Sequence, residues 1–244
     1  LAKIMQAAIK DIVDPNVICF IDTTDKEITN QLITKREYID VLIPRGGKGL
    51  INYVVSNAKI PYIETGSGNC HLYVHEAADL NKAIKIAINA KHQRPSVCNA
   101  IENILVDEAI ANEFLPILAK EFNSLNIEIR GCKATAEIIK CNLATDEDFY
   151  TEYNDYIVAI KIVKSLDEAI KHINIHSSKH SEAIISEDIK AYEKFLNEID
   201  SACVYHNAST RFTDGGEFGF GAEIGISTQK LHARGPMGLK ELTT

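Results

Sequence analysis

The stretch 60–74, IPYIETGSGNCHLYV, joins two short apolar runs through a turn that contains two glycines. Short apolar runs bounded by turn residues are typical of buried strands, so we expect strands over 60–63 and 71–74. The turn at 66–68 coincides with a shift in composition and marks a candidate domain boundary. Helical patterns flank this stretch on both sides, and alternating strands and helices indicate parallel crossovers and an α/β fold.

Upstream of this stretch, the chain alternates between helical and strand-like patterns. Thr24 and Glu27 have the spacing of a capping box, in which a hydroxyl and a carboxylate satisfy the first N–H groups of a helix. The predicted elements are a helix over 1–12, a strand over 17–21, a helix from Thr24 to 34, a strand over 38–43 and a helix over 48–57. This order favours part of a doubly wound parallel sheet.

Downstream, the alternation continues through most of the chain. The predicted helices cover 79–91, 108–123, a segment opened by Ser165, and 188–198, and the predicted strands cover 100–106, 157–163, 182–185 and 202–205. Residues 207–225 differ in composition from the rest of the chain, because they include five glycines. Glycine-rich segments are typical of loops whose backbone passes close to another group.

The chain has 244 residues and a formal net charge of −8, from 26 Lys and Arg against 34 Asp and Glu. Surfaces that follow nucleic-acid phosphates need clustered Lys and Arg, so a nucleic-acid partner is not expected. No run approaches the ~20 apolar residues that span a bilayer, and no basic segment precedes an apolar core at the start. The six cysteines are irregularly spaced. We therefore expect reduced thiols and a cytoplasmic protein without a membrane partner.

The turn Arg45-Gly46-Gly47 lies between a predicted strand and a predicted helix. Glycines in such a turn let backbone N–H groups approach an anion, and the helix N-terminus favours negative charge. The turn lacks the G-x-G-x-x-G pattern, so an ordinary tight connection remains the simpler interpretation at this point.

Cys98 differs from the other thiols because it lies in a polar turn, four residues after Arg94. A neighbouring cation lowers the pKa of a thiol and increases the fraction of the nucleophilic thiolate. The alternative is a small residue that packs a loop, and the local sequence does not separate the two. Cys19 and Cys203 lie in apolar strand-like runs and are expected to be inert core residues.

Two further charged residues are candidates for a site. Glu64 follows the predicted strand at 60–63, and ligands bind at strand ends in open α/β sheets, so its carboxylate is a candidate base or orienting group. Arg211 precedes the glycine run, where its guanidinium could hold a carboxylate in bidentate fashion. A solvated Glu and a surface Arg are the plain alternatives.

Histidines 172, 176 and 180 repeat at the spacing of one helix face, which is also the spacing of a zinc-binding pair. No Glu follows the first of them, and Ser177-Ser178 indicates that the helix ends before the third. Cys132 and Cys141 match no zinc spacing. We therefore predict partly exposed histidines at a helix terminus and no metal.

Four strings together resemble one enzyme family. They are LIPRGGKGLI at 42–51, IETGSGNCHLYV at 63–74, QRPSVCNAIEN at 93–103 and the segment from STRFTDGG to the last residue at 209–244. They are similar to the gamma-glutamyl phosphate reductases (glutamate-5-semialdehyde dehydrogenases), a branch of the aldehyde dehydrogenase superfamily. The resemblance covers essentially the whole chain.

The resemblance implies a reaction, which is the NADPH-dependent reduction of L-glutamyl 5-phosphate to L-glutamate 5-semialdehyde in proline biosynthesis. Cys98 would form a thioester and expel phosphate, and Glu64 would match the general-base position of the superfamily. Glu152 would approach the nicotinamide ribose. Arg45, Gly46 and Gly47 would line the cofactor pyrophosphate, and Arg211, Thr210 and Ser209 would approach the glutamyl group. A homo-oligomer is implied as well.

The resemblance also implies an aldehyde dehydrogenase-like fold. Residues 1–66 would be the C-terminal half of a Rossmann-type NADP-binding domain, 67–233 an α/β catalytic domain with a parallel sheet, and 234–244 a C-terminal segment with a candidate oligomerisation strand. The chain begins with Leu1, and the first part of the family's cofactor domain is absent. We therefore expect a truncated chain that binds NADPH poorly.

Two alternatives remain open from the sequence. The chain could be a catalytically incomplete fragment or paralogue that acts only in assembly, although Cys98, Glu64 and the glycine run count against this. A cysteine hydrolase or acyltransferase would need a histidine partner for its nucleophile. His92 is the nearby candidate for that role.

Overall fold

The computed structural model describes residues 1–243, except the side chain of Lys48. The chain forms two compact units: Leu1–Leu42 with Asn57–Pro61, and Ile43–Ser56 with Tyr62–Thr244. These units are defined by packing, whereas the domain ranges predicted above are defined by the family resemblance. The predicted ranges stay a prediction. No helix in the described part of the chain has the length and apolar character to cross a bilayer.

The second unit is built around a seven-stranded parallel sheet with the strand order β4-β3-β5-β2-β1-β6-β7. Its strands are β1 (Cys70–Val74), β2 (Ile101–Asp107), β3 (Glu128–Gly131), β4 (Asn142–Leu143), β5 (Ile157–Val163), β6 (Ser181–Ile185) and β7 (Cys203–His206). The α/β fold class and the parallel sheet predicted from the sequence are confirmed.

Helices cover both faces of this sheet, because its central strands are apolar on both sides. They are α4 (Leu80–His92), α5 (Glu108–Ser124), α6 (Lys133–Ile138), α7 (Leu166–His176) and α8 (Ile189–Glu198). Leu72 and Val74 of β1 belong to a core with α4 and α5. Tyr73 points the other way, into a core with α7 and α8. Alternate residues of one strand therefore anchor two separate helical layers.

Side-chain caps fix where these helices begin. Asp79 and Asp107 accept hydrogen bonds from the backbone N–H groups of Lys82 and Ala109 at 3.1 Å each. Ser165 accepts one from Glu168, and the Glu168 carboxylate accepts one from the backbone of Lys164, as the sequence predicts. The helices and strands predicted between 71 and 205 are confirmed within a few residues at their ends.

Several short elements were not predicted from the sequence. Strands β3 and β4 and helix α6 have two to six residues each, too few to display a period. In the C-terminal part, β8 (Gly225–Ser227) pairs antiparallel with β9 (Gly235–Met237). The segment predicted as an oligomerisation strand thus contributes β9 to a two-stranded sheet within the chain, and its role between subunits stays a prediction.

The first unit contains helices α1 (Ala2–Ile9) and α2 (Lys26–Leu32), whereas α3 (Lys48–Asn57) follows the turn at 45–47. The strands predicted over 17–21, 38–43 and 60–63 are wrong, because no element with strand pairing forms there. A strand needs a neighbour that shares several backbone hydrogen bonds, whereas 38–43 and 60–63 share a single one, from the backbone N–H of Leu42 to the carbonyl of Pro61 at 2.8 Å. The capping box is also wrong. Asp25 caps α2 in place of Thr24 and accepts from the backbone N–H of Glu27 at 2.9 Å.

The prediction of partly exposed histidines is wrong for two of the three. His172 is buried with its ring 3.9 Å from that of His176, and His180 is fully buried beside Ser181. The helix does end at His176, as predicted. Cys19 is exposed and not a core residue, because the strand expected around it does not form, and Cys203 is half-buried.

Acid is predicted to destabilise the protein through His172 and His180. Burial lowers the pKa of His172 to about 2, with further effects from His71, His176 and Lys161, and burial lowers the pKa of His180 to about 4. The unfolded chain therefore takes up these protons first, so the stabilisation is present above pH 6.5 and is lost as the pH falls below it. At pH 5.5 each histidine should lower the free energy of unfolding by about 1.4 kcal/mol relative to its value at pH 7.5.

Urea unfolding at pH 7.5 and 5.5 measures this loss. His172→Gln should reduce the difference between the two pH values, whereas His232→Gln, at an exposed position, should not. An unchanged difference in the His172 variant would contradict the assignment.

Candidate active site

The second unit contains an open cleft of about 790 Å³. Its lining includes Cys98, Glu64 and Glu152, together with three arginines, Arg45, Arg94 and Arg211. The cleft therefore brings together the predicted nucleophile and charged residues from segments far apart in the sequence.

The cleft lies at the amino-terminal edge of the parallel sheet. Residues 64–68 precede β1, residues 96–99 precede β2, residues 152–154 precede β5, and Ser178 precedes β6. This corrects the argument that placed Glu64 at the carboxyl end of a strand, because the strand over 60–63 does not form. Glu64 reaches the cleft from the connection that leads into β1.

A close contact between two backbones positions Cys98. A β-carbon added to Gly68 would lie 1.5 Å from the carbonyl oxygen of Cys98 and 2.5 Å from its Cα. The thiol of Cys70 donates to the same carbonyl at 3.2 Å. Only glycine allows this approach, so the connection before β1 directly supports the turn that carries Cys98.

The segment with Glu64 is held by the C-terminal part of the chain. The backbone N–H of Glu64 donates to Oε1 of Gln229 at 2.8 Å, and Thr65 forms a bridge with Ser227 of β8. The hydroxyl of Thr65 donates to the carbonyl of Pro44 at 2.9 Å, next to Arg45. One short stretch therefore ties the glycine turn, Glu64 and β8 together.

Glu152 contacts the connection behind the nucleophile. Its Oε1 accepts a hydrogen bond from the backbone N–H of Gly68 at 2.6 Å. Two residues later, the backbone N–H of Asn154 donates to Glu102 at 3.3 Å, and Glu102 forms a fully buried ion pair with Lys91 at 2.6 Å. The buried pair thus holds the segment that presents Glu152 to the cleft.

The Cys98 thiol is a weak acid in this environment. Burial raises its pKa to about 11, and the carboxylates of Glu223 and Glu152 act in the same direction. The charge of Arg45 lowers the pKa of Cys98 against these effects. The expected net lowering of the thiol pKa is therefore wrong, and an effect of Arg94 on this thiol stays a prediction. Desolvation outweighs the attraction of Arg45 for the thiolate.

Arg45 and the glycines after it lie at the start of α3. A β-carbon on Gly225 would be 2.5 Å from Nη1 of Arg45, so the guanidinium lies directly against the backbone of β8. Gly46 and Gly47 line the cleft, and a β-carbon on Gly47 would meet nothing within 4 Å among the described residues. The N-terminus of a ten-residue helix therefore opens onto the cleft with free space in front of it.

Arg211 lines the cleft, whereas Ser209 and Thr210 serve the segment itself. The Ser209 hydroxyl accepts from the backbone N–H of Arg211 at 3.2 Å, and the buried Thr210 hydroxyl donates to the carbonyl of Asn99 at 2.7 Å. The Arg211 guanidinium donates to Gln93 at 3.2 Å and to Oδ1 of Asn99. Residues 93–99 and 209–213 thus form one wall.

Glu223, which contributes to the high pKa of Cys98, was missed in the sequence analysis. It lies just before β8 in the glycine-rich segment, where no local pattern distinguishes it from a solvated carboxylate. Its Oε2 accepts from the backbone N–H of Gly215 at 2.8 Å. Among the described residues, no group of three or more His, Cys, Asp and Glu side chains is arranged to hold a metal ion.

The arrangement of a cysteine on a cleft beside a parallel α/β sheet agrees with the family assignment. Residues 1–137, more than half of the chain, match the model of the aldehyde dehydrogenase family. The chain belongs to this family.

Relatives of high identity carry a more specific name. The chain is 58% identical over 246 residues to the gamma-glutamyl phosphate reductase of Dictyoglomus turgidum, covering 100% of this chain and 59% of the relative. The crystal structure of gamma-glutamyl phosphate reductase from Thermotoga maritima superimposes with a TM-score of 0.97 at 53% identity, with the same coverage of 100% and 59%. The chain therefore spans about three fifths of the length of these relatives.

A more distant likeness concerns the fold alone. An engineered glycolyl-CoA reductase with bound NADP⁺ matches with a TM-score of 0.68 at 18% identity, covering 93% of this chain and 59% of that chain.

Gly68→Ala is predicted to destabilise the protein and to displace Cys98. The added carbon meets backbone atoms that cannot rotate away, so the free energy of unfolding should fall by about 3 kcal/mol or more. Gly49→Ala is the matched control, because its β-carbon would meet nothing within 4 Å among the described residues and α3 should gain up to about 1 kcal/mol. Urea unfolding measures both. Wild-type stability in the Gly68 variant would refute the contact.

Alkylation of Cys98 by iodoacetamide, followed by peptide mass spectrometry, is predicted to accelerate about tenfold per pH unit between pH 7 and 10, because the thiolate is the nucleophile. At pH 8, Glu223→Gln should react about two- to tenfold faster than wild type and Arg45→Gln more slowly. Glu193→Gln removes the same negative charge at an exposed position on α8 and should leave the rate unchanged. A rate plateau below pH 9 would contradict the high pKa of Cys98.

Proposed function

We propose that the protein reduces L-glutamyl 5-phosphate to L-glutamate 5-semialdehyde with NADPH and releases phosphate, as a step of proline biosynthesis. The observation that carries the proposal is the cleft in which Cys98 lies with Glu64, Glu152 and the guanidinium groups of Arg45 and Arg211. Support comes from relatives of that name at 58% and 53% identity. The same proposal includes a cytoplasmic enzyme that forms a homo-oligomer.

The residues at the start of α3 fit a dinucleotide cofactor. Gly46 and Gly47 place the backbone and a helix N-terminus next to free space in the cleft, which suits a pyrophosphate. Arg45 precedes them and supplies positive charge. Glu152 uses Oε1 for Gly68, so its Oε2 is available for a ribose hydroxyl. NADPH, when bound, supplies the hydride that reduces the acyl group.

Cys98 is the nucleophile in the proposed reaction. Its sulfur attacks the acyl carbon, the bond between that carbon and the phosphate oxygen breaks, and the thiol proton leaves with the released hydrogen phosphate. A thioester on Cys98 results. After reduction, the bond between carbon and sulfur breaks, the aldehyde leaves, and the thiol is restored with a proton from solvent.

The charges around Cys98 fit this role. A thiol with a pKa of about 11 is mostly protonated at neutral pH, so a nearby cation is needed to stabilise the thiolate as it forms. Arg45 is the cation whose charge acts on this sulfur. Arg45 thus has two proposed roles, at the pyrophosphate and in activation of the nucleophile.

Glu64 is proposed to orient groups and not to activate water. Reduction of an acyl phosphate consumes no water, so the general base of a hydrolytic dehydrogenase has no water to deprotonate here. Gln229 fixes the backbone of Glu64, which suits a positioning role. Arg211, with Ser209 and Thr210 behind it, is proposed to bind the carboxylate of the glutamyl group.

Cys98→Ala is predicted to abolish activity, because no other side chain on the cleft can form the thioester. The assay is phosphate-dependent reduction of NADP⁺ with glutamate 5-semialdehyde, measured on the natural protein and on the 244-residue chain in parallel. Cys19→Ser, at an exposed position, should keep wild-type activity. Undiminished activity in Cys98→Ala would eliminate the mechanism, and a natural protein without this activity would eliminate the function.

A further inference from the structure

We infer that Arg94 and Arg211 form a two-guanidinium site for a carboxylate at the far end of the acyl substrate, with Arg94 as a specificity-determining residue. The inference rests on the proposed function and extends it. It adds Arg94 to the carboxylate site already proposed for Arg211, and it makes the second guanidinium the group that favours acyl substrates with a carboxylate several bonds from the reacting carbonyl.

The position of the Arg211 guanidinium is fixed by neutral partners. Nε donates to Oε1 of Gln93 at 3.2 Å, and Nη1 donates to Oδ1 of Asn99. Asn99 is itself buried, and its Nδ2 donates to the carbonyl of Thr213 at 2.8 Å. Amide oxygens orient the guanidinium without neutralising its charge, and Nη2 makes no hydrogen bond to the described residues.

Arg94 adds a second positive charge next to the first. Nε of Arg211 binds the side chain of Gln93, the residue before Arg94, so both guanidinium groups belong to one wall of the cleft. Burial lowers the pKa of Arg211, and the charge of Arg94 acts in the same direction. Both groups line the cleft. Arg94 is exposed and Arg211 is half-buried, so the pair extends from the wall of the cleft towards its mouth.

No carboxylate compensates this pair at close range. Among the described residues, neither arginine has a carboxylate oxygen within 4.0 Å. Asp214, which also lines the cleft, raises the pKa of Arg211 more than Arg94 lowers it, and Glu217 raises it less. Oδ1 of Asp214 accepts from the backbone N–H groups of residues 216 and 217, so this carboxylate is held by its own turn. Two adjacent cations with donors free towards a cleft are the arrangement that a planar carboxylate matches.

The three arginines of the cleft divide into two groups. Arg45 acts on the Cys98 sulfur, whereas Arg94 acts on Arg211, and Arg211 interacts with both Cys98 and Arg94. Arg211 contacts Gln93 and Asn99, which flank the segment 94–98, so the pair lies on the same wall of the cleft as the sulfur. A substrate whose carbonyl lies at Cys98 would reach the pair with an anionic group at its opposite end.

The test uses two five-carbon aldehydes as probes. 5-Oxopentanoate carries a terminal carboxylate and lacks the amino group through which glutamate semialdehyde cyclises, and pentanal lacks the carboxylate. Each aldehyde adds reversibly to the Cys98 thiol, so each should protect this thiol from iodoacetamide. The measured quantity is the aldehyde concentration that halves the alkylation rate of Cys98, with the exposed Cys19 as the internal reference thiol.

We expect 5-oxopentanoate to protect wild-type Cys98 at about one tenth of the concentration of pentanal, since charge-assisted hydrogen bonds are the strong ones. Arg94→Gln should raise the concentration needed for 5-oxopentanoate about tenfold and leave that for pentanal unchanged. Arg94→Lys should restore part of the protection. Arg36→Gln removes the same positive charge at an exposed position and should have no effect.

The inference would be overturned by no protection of the wild-type thiol by 5-oxopentanoate, by equal protection by both aldehydes, or by an unchanged value in Arg94→Gln. A parallel loss for both aldehydes in Arg94→Gln would also overturn it, because it would show general damage to the cleft. Protection requires neither hydride transfer nor cofactor. Failure of the reductase assay with intact carboxylate-dependent protection would therefore refute the proposed function and leave this site standing.

Discussion

The approach of Gly68 to the backbone of Cys98 is the constraint on which the site depends. Strands β1 and β2 begin within three residues of these two positions and lie side by side at the centre of the sheet. The packed sheet therefore fixes the separation of the two turns, and only a residue without a side chain fits between them. Glu152 binds the same turn from the other side, so the core of the fold determines where the thiol lies.

The cleft combines groups with opposing effects on its nucleophile. Burial, Glu223 and Glu152 disfavour the thiolate of Cys98, and Arg45 favours it. The result is a protonated thiol protected from adventitious reaction, whose ionisation is favoured where positive charge is brought closer or where a leaving group accepts the proton. Such a balance suits an enzyme whose substrate is itself strongly activated, because an acyl phosphate does not require a highly populated thiolate.

Much of the second unit could be predicted from sequence because its strands and helices are long and periodic and agree with their caps. The strand over 17–21 fails because apolar character alone does not supply a hydrogen-bonding neighbour. The nucleophile and Glu64 were found through motif strings, whereas Glu223 depends on the path of an irregular loop that no period encodes. The effect of Arg45 on Cys98 could not be predicted for the same reason, because the two residues are far apart in the sequence and are brought together only by the fold.

The location of the cleft at the amino-terminal edge of the sheet has an electrostatic consequence. In a parallel α/β unit the helices run opposite to the strands, so α4 and α7 end at this edge, at His92 and His176. Their terminal carbonyl groups carry partial negative charge, which opposes an anionic ligand. Helix α3 is the exception, because its N-terminus meets the cleft at Gly47. An anion elsewhere in the cleft must therefore be held by side chains, which gives a physical reason for three arginines in an otherwise acidic protein.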